Sequence, residues 1–324
     1  MDQFPAPAGN SHDPSHTAVE PVPGTKAGSA DWRALVRALR PQQWVKNLLL
    51  LVPLVLAHRL NDTAGLIASA WAAIAFSAAA SSVYLLNDLL DLEADRAHPQ
   101  KRSRPLAARD VTPAAALRTA AALLVLAFGI SIVFLPLLFT AAVLAYLVAN
   151  ALYSLWLKRK PMVDVLVLAN LYTLRVVAGG IATDVPVSEW LLAFSTFFFL
   201  SLAFVKRYAE LHRLAAERGS QALGRGYEVS DLSLLETMGP CSGYLSVLVL
   251  ALYINGEQVK NLYFRSNLLW VLCALLLYWI SRLWFWAKRG ELIEDPVTFA
   301  LRDRNSLIVA VLGALTLAAA AWSG

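Results

Sequence analysis

Asn87, Asp88, Asp91 and Asp95 stand together in the run Asn87-Asp88-Leu89-Leu90-Asp91-Leu92-Glu93-Ala94-Asp95, directly after an apolar stretch long enough to cross a bilayer. On a helix, positions 88, 91 and 95 lie three, four and seven apart and project from one face. Three carboxylates on one stripe repel each other unless a cation sits between them. Asp88, Asp91 and Asp95 are therefore candidate ligands for Mg2+, with Asn87 orienting the cluster or a ligand oxygen. Magnesium takes oxygen ligands, keeps several waters and commonly bridges to substrate phosphates, so a diphosphate is the expected guest. A solvated helix end is the plainer reading of the same acids.

Basic side chains surround this cluster in sequence: Lys101, Arg102 and Arg104, then Lys158, Arg159 and Lys160, then Lys206 and Arg207, and finally Arg302 and Arg304. Such groups suit phosphate oxygens, although topology alone also accounts for many of them. Arg175 differs because it falls inside an apolar segment, where a charge is costly and usually faces a cavity or a partner. Asp164, near the start of the same segment, reads equally as a helix cap or a ligand.

The elements that must position these groups are membrane helices. Hydrophobic residues make up 58% of the chain and charged residues only 16%, which excludes an ordinary soluble domain. Nine apolar runs are expected to span, near 44–58, 66–90, 113–133, 136–157, 163–182, 188–206, 238–256, 266–287 and 305–323, in an all-α polytopic bundle. Residues 1–31, rich in Pro, Gly, Ser and Ala without an apolar core, read as a disordered cytosolic tail, and 32–324 as the transmembrane domain. With the amino terminus inside, all but four of the 28 Lys and Arg fall on the cytosolic side or in the tail, the exceptions being Arg59, Lys260, Arg265 and the intramembrane Arg175. The aspartates then face the cytoplasm. Cys241 and Cys273 read as small core residues. The 208–237 segment reads as a mobile cover or as a solvated loop.

Asn87-Asp88-x-x-Asp91-x-x-x-Asp95 after the second of nine spans resembles the first acidic motif of the UbiA superfamily of intramembrane prenyltransferases, a resemblance that covers roughly 32–323. Those enzymes bind a diphosphate through Mg2+ held by two acidic motifs, in a bundle around a cavity. Where the second motif is expected, this chain has Phe204-Val205-Lys206-Arg207-Tyr208-Ala209-Glu210-Leu211, so two bases replace carboxylates. Together with Arg40-Pro41-Gln42-Gln43-Trp44-Val45-Lys46-Asn47, Tyr153-Ser154-Leu155-Trp156-Leu157-Lys158-Arg159 and Asp295-Pro296-Val297-Thr298-Phe299-Ala300-Leu301-Arg302-Asp303-Arg304, that stretch resembles the decaprenyl-phosphate phosphoribosyltransferase branch.

The resemblance implies Mg2+-dependent transfer of 5-phosphoribose from phosphoribosyl diphosphate to a polyprenyl phosphate at the cytoplasmic face of the plasma membrane. It implies catalytic roles for Asp88, Asp91 and Asn87, metal binding by Asp88, Asp91 and Asp95, and substrate binding by Lys46, Lys158, Arg159, Arg175, Lys206, Arg207 and Tyr153. The expected partners are the two substrates and the lipid bilayer, with no nucleic acid and with a homo-oligomer compatible with the chain. Transfer of a prenyl group from a prenyl diphosphate to an aromatic or other small acceptor is the alternative. A transporter is disfavoured because the charge gathers on one membrane face.

Overall fold

The computed structural model describes residues 32–97, 101–216, 226–292 and 295–322. The expected tail at 1–31 and the Arg218, Gly219, Gly224 and Arg225 part of the expected cover lie outside the described residues. All regular elements described are helical. In chain order they are α1 (Trp32–Leu39), a 3-10 helix (Pro41–Leu51), α2 (Val52–Leu56), α3 (Thr63–Leu90), α4 (Leu92–Ala97), α5 (Pro113–Phe134), α6 (Leu137–Leu155), α7 (Val163–Thr183) and α8 (Glu189–Ala216). These are followed by α9 (Leu232–Ile254), α10 (Glu257–Leu262), α11 (Trp270–Lys288), α12 (Pro296–Arg302) and α13 (Arg304–Ala321), with short 3-10 turns between some of them.

Among the described residues, eight helices are long and apolar enough to cross a membrane, namely α3, α5, α6, α7, α8, α9, α11 and α13. The expected first span is built differently. Its residues form the 11-residue 3-10 helix and the five-residue α2. Neither piece is among the helices long and apolar enough to cross a membrane by itself. The division at Pro136 is as expected: α5 stops at Phe134 and α6 starts at Leu137. Two boundaries move. α8 continues to Ala216, carrying Lys206 and Arg207 into its interior, and α9 starts at Leu232, before the expected 238.

α3 and α7 are the central helices, each 56% buried over its apolar window, whereas α13 is 11% buried and turns its side chains outward. Ala72, Ala75, Ala78, Ala79 and Ala80 are buried along α3, which lets backbones approach closely where apolar surroundings offer no hydrophobic drive between helices. Gly179 on α7 does the same for the 3-10 helix: a Cβ there would stand 2.1 Å from the Leu50 carbonyl oxygen. Two apolar cores share α7, one with α3, α5 and α6, the other with α8, α9 and α11. Leu126, Ile132, Leu137, Leu144, Leu248 and Phe285 are exposed in the chain, as lipid-facing side chains must be. This is an all-α integral membrane protein. Cys273 is buried, but Cys241 is exposed on the outside of α9, contrary to the expected core position.

Candidate active site

At about 1.5 Å per residue, the 28 residues of α3 extend about 42 Å, longer than the hydrocarbon core. Its last turn, with Asn87 and Asp88, therefore reaches the membrane edge. The helix is started by Asp62, whose carboxylate accepts the Gly65 N–H at 3.0 Å. α3 ends at Leu90, Asp91 caps it, and α4 continues after a single turn residue, with Asp95 N–H donating to the Asp91 carbonyl.

Asp88 and Asp95 are 3% exposed and converge on one positive group. A single Arg104 nitrogen, Nη1, lies 2.6 Å from Asp95 and 3.3 Å from Asp88. Arg40 donates to the same Asp88 oxygen at 2.6 Å. Asp91 takes another direction, 3.6 Å from Lys158 with 46% of its side chain exposed. The helix face predicted from spacing thus delivers two of its three carboxylates to one point, and the turn at Asp91 diverts the third. Among the described residues no three His, Cys, Asp or Glu side chains form a metal-binding group. The donor set still suits magnesium: the donors are oxygens, two are buried, and they already converge on a cation that a dication can replace. Asp88 and Asp95 would hold it, with Asp91 at the rim, and Asn87 is half-buried in the last turn of α3.

Arg40 is one of the residues that the sequence reading did not single out. It carries left-handed backbone angles, φ 55° and ψ 59°, at the start of the 3-10 helix, a conformation costing a non-glycine residue about 1–2 kcal/mol. The Asp88 ion pair and the Tyr84 ring, 5.0 Å from its guanidinium, hold it there. A positive φ cannot be read from Arg-Pro. Arg104 was visible only as part of a basic loop.

The second charged centre lies where the 3-10 helix meets α7, α8 and α12. Lys46 is 3.0 Å and Lys206 3.2 Å from one oxygen of Asp295. Burial works to raise the Asp295 carboxyl, but Lys206 and Lys46 outweigh it and hold it well below the usual carboxylate range. Asp295 also caps α12, accepting the Val297 N–H. Sequence spacing offers no signal for this convergence, because its members lie on three distant segments.

Arg175 is 5% exposed, within α7. Its nitrogens donate to Asn47 Oδ1 at 3.1 Å, the Leu171 carbonyl at 2.6 Å and the Tyr146 hydroxyl at 3.1 Å. The guanidinium also stands 4.8 Å from the Tyr146 ring and 5.7 Å from the Tyr172 ring. All these partners are neutral, so among the described residues a full positive charge is buried without an acid partner. Lys46, 5.4 Å from the same Tyr172 ring, connects it to the Asp295 centre.

Of the remaining predicted residues, Arg207 is placed apart from these centres. Arg207 is fully buried, with Nε 2.8 Å from Asp164 and Nη1 on Glu210. Asp164 also accepts from Tyr227 at 2.7 Å, and Tyr227 accepts the Met162 N–H at 2.8 Å. Arg207 therefore braces α7 against α8 and the chain entering α9, and the structure does not bring it to the Lys46, Lys206 and Asp295 centre. Asp164 resolves as this brace's acid. Burial raises the Tyr227 hydroxyl, and its bond to Asp164 raises it further, so it stays a neutral donor. Lys158 approaches the aspartates through Asp91, Arg159 is exposed beside it, and Tyr153 is half-buried in the last turn of α6.

The model of the UbiA prenyltransferase family matches residues 48–291. Nodulation protein NoeC of Azorhizobium caulinodans is 36% identical over 280 residues, covering 85% of this chain and 89% of that protein. The uncharacterized protein y4nM of Sinorhizobium fredii is 36% identical over 284 residues, 87% of this chain, but the chain spans only 54% of its length. Decaprenyl-phosphate phosphoribosyltransferase of Mycobacterium tuberculosis is 34% identical over 295 residues, 90% of this chain and 95% of that one. A solved UbiA homolog from Archaeoglobus fulgidus bound to DMAPP and Mg2+ superposes with a TM-score of 0.66 at 16% identity, over 89% of this chain and 97% of that chain, a likeness of fold. The helical bundle, the aspartates at the end of α3 and the match across most of its length make this chain a member of the UbiA prenyltransferase family.

Proposed function

We propose that this protein transfers 5-phosphoribose from phosphoribosyl diphosphate to a polyprenyl phosphate, releasing diphosphate, with its active site facing the cytoplasm. The observation that carries this reading is the Lys46 and Lys206 pair with the acid-free Arg175 behind it. A donor diphosphate and an acceptor phosphate both need cationic partners, and this chain has bases where the family pattern expects a second acidic motif. The printed name of the Mycobacterium tuberculosis relative supports the same choice.

In this reading, Asp88 and Asp95 would hold Mg2+ at the place where the donor's diphosphate binds, and Asp91, Lys158 and Arg40 line its rim. Bound there, the ion offsets the charge that grows on the departing diphosphate. As the bond from ribose carbon 1 to the diphosphate oxygen breaks, an oxygen of the acceptor phosphate forms the new bond to that carbon. The acceptor is already anionic, so no base needs to remove a proton. Arg104 releases the two carboxylates and turns to the incoming phosphates. Lys46, Lys206 and Arg175 supply positive charge to the other phosphate, and the apolar tail of the acceptor stays among helices and lipid.

Prenyl transfer from a prenyl diphosphate to an aromatic acceptor is favoured by one observation, the Phe76, Tyr146 and Tyr172 rings around Arg175. A side-by-side assay separates the two. Purified protein with Mg2+ receives either labelled phosphoribosyl diphosphate with a polyprenyl phosphate, or labelled prenyl diphosphate with an aromatic acid. A labelled lipid phosphodiester from the first pair is the expected product. Product from the second pair alone would transfer the assignment to prenylation.

A further inference from the structure

Asp295 is joined to its surroundings in a way that no other carboxylate in the charged centres repeats. One oxygen caps α12 through the Val297 N–H at 3.2 Å, and the other receives two ammonium groups, Lys46 at 3.0 Å and Lys206 at 3.2 Å. The Lys46 and Asp295 side chains are 9% and 11% exposed, and that of Lys206 is 40% exposed. One negative charge thus faces two positive ones, with the Arg175 guanidinium sharing the Tyr172 ring with Lys46. The centre retains excess positive charge and one accessible side.

We propose that Lys46 and Lys206 form a subsite for a terminal phosphate monoester, and that the bridging oxygen of Asp295 is its built-in placeholder, exchanged for a phosphate oxygen when ligand arrives. Both ammoniums point at a single oxygen, so a phosphate oxygen touching both must take that point. Each ammonium has three donors and gives one to Asp295, which leaves donors for further phosphate oxygens. A phosphate dianion gains more from two cations than a carboxylate does. The capping oxygen leaves Asp295 a second anchor, so displacement needs a side-chain rotation and not the departure of α12. The Lys206 and Lys46 ammonium groups, which outweigh the opposing effect of burial, keep the placeholder ionised throughout the neutral range. The inference rests on the transfer reading only for which phosphate arrives, since a sugar phosphate and a lipid phosphate share the terminal group.

Equilibrium binding by the full chain in nanodiscs tests this, with chelator present so that the aspartate cluster takes no part through a metal. The probes are ribose 5-phosphate and, separately, a short polyprenyl monophosphate. Asp295→Asn isolates charge from shape, because Asn caps helices as well as Asp. The expected result is binding about tenfold tighter by the variant, about 1.4 kcal/mol, for at least one probe, and the probe that gains identifies the source of the phosphate. Damage to packing cannot raise affinity in this way. Adding Lys206→Ala should abolish the gain. Unchanged or weaker binding of both probes by a folded Asp295→Asn variant overturns the proposal. If that variant does not fold, Lys206→Ala alone decides: its exposed side chain makes it tolerable, and unchanged binding of both probes removes the subsite. Neither probe can be transferred, so the outcome is independent of the transfer assay, and either result can fail while the other stands.

Discussion

The Asp164 and Arg207 pair gives the sharpest test of how the structure divides bracing from binding. Both side chains are fully buried and their charged atoms are 2.8 Å apart. Removing one partner of a buried pair costs about 3–5 kcal/mol, because the other charge is stranded in a medium of low polarity. Glu210, whose side chain is 33% exposed, still reaches Arg207, so Asp164→Ala belongs at the lower end, about 3 kcal/mol. At about 2 °C per kcal/mol for a chain of this size, the thermal midpoint should fall by about 6 °C. Arg207→Met strands Asp164, which keeps the Tyr227 hydroxyl, and should fall by a similar amount. The double variant should lose far less than the sum, since both charges leave together. Midpoints by size-exclusion survival after heating, with transfer kinetics on the same preparations, make the assay. If Arg207→Met keeps the wild-type midpoint while KM for a phosphate substrate rises, Arg207 touches substrate and the packing argument is wrong.

Arg175→Met should behave oppositely, because its loss strands no acid: the midpoint holds or rises, while turnover falls about a hundredfold, the scale of losing one group that stabilises developing or bound charge. Normal turnover would remove Arg175 from the site. Gly179→Ala drives a methyl toward the Leu50 carbonyl and should cost about 1–3 kcal/mol by overpacking, with activity falling because the 3-10 helix carrying Lys46 and Asn47 is pushed away; an unchanged midpoint and unchanged activity would contradict that close approach. Asp303 is paired with Arg282 at 2.6 and 2.9 Å and caps α13 through Ser306. Its bond to Arg282 comes first in holding its carboxyl below the ordinary value. A depressed folded value stabilises above the unfolded value, about 3.9, and the benefit is lost as pH falls through the folded one. The stability gap between wild type and Asp303→Asn should therefore be flat from pH 7 to about pH 5 and shrink only below about pH 4; a gap that closes near pH 6 would contradict the pairing.

Much of the bundle was legible because hydropathy over some twenty residues is set by the bilayer, not by packing partners. The α5 and α6 boundary could be read from Pro136, and the aspartates' position at a helix end from the motif itself. The first span was read as an ordinary helix because apolar periodicity does not distinguish a stretched 3-10 segment from an α-helix. Whether a base meets substrate or another side chain was hidden. Lys206 and Arg207 are neighbours in sequence, yet successive helical positions point about 100° apart, and the structure sends one to Asp295 and the other to Asp164. Asp295 and Lys46 meet across 249 residues of sequence, beyond the reach of any local pattern. Asp91 departed from its expected face because the helix breaks at that residue.

The central claim is that the buried carboxylates at the end of α3 and in α4 bind a divalent ion that activates a diphosphate leaving group. Its most direct test is the transfer of label from phosphoribosyl diphosphate to a polyprenyl phosphate as Mg2+ is titrated, for wild type, Asp88→Asn and Asp95→Asn. The account predicts transfer by wild type that depends on Mg2+ and stops on chelation, and at least about a hundredfold loss in each variant with the folded bundle retained. Near-normal transfer by Asp88→Asn, or by wild type in excess chelator, would contradict it.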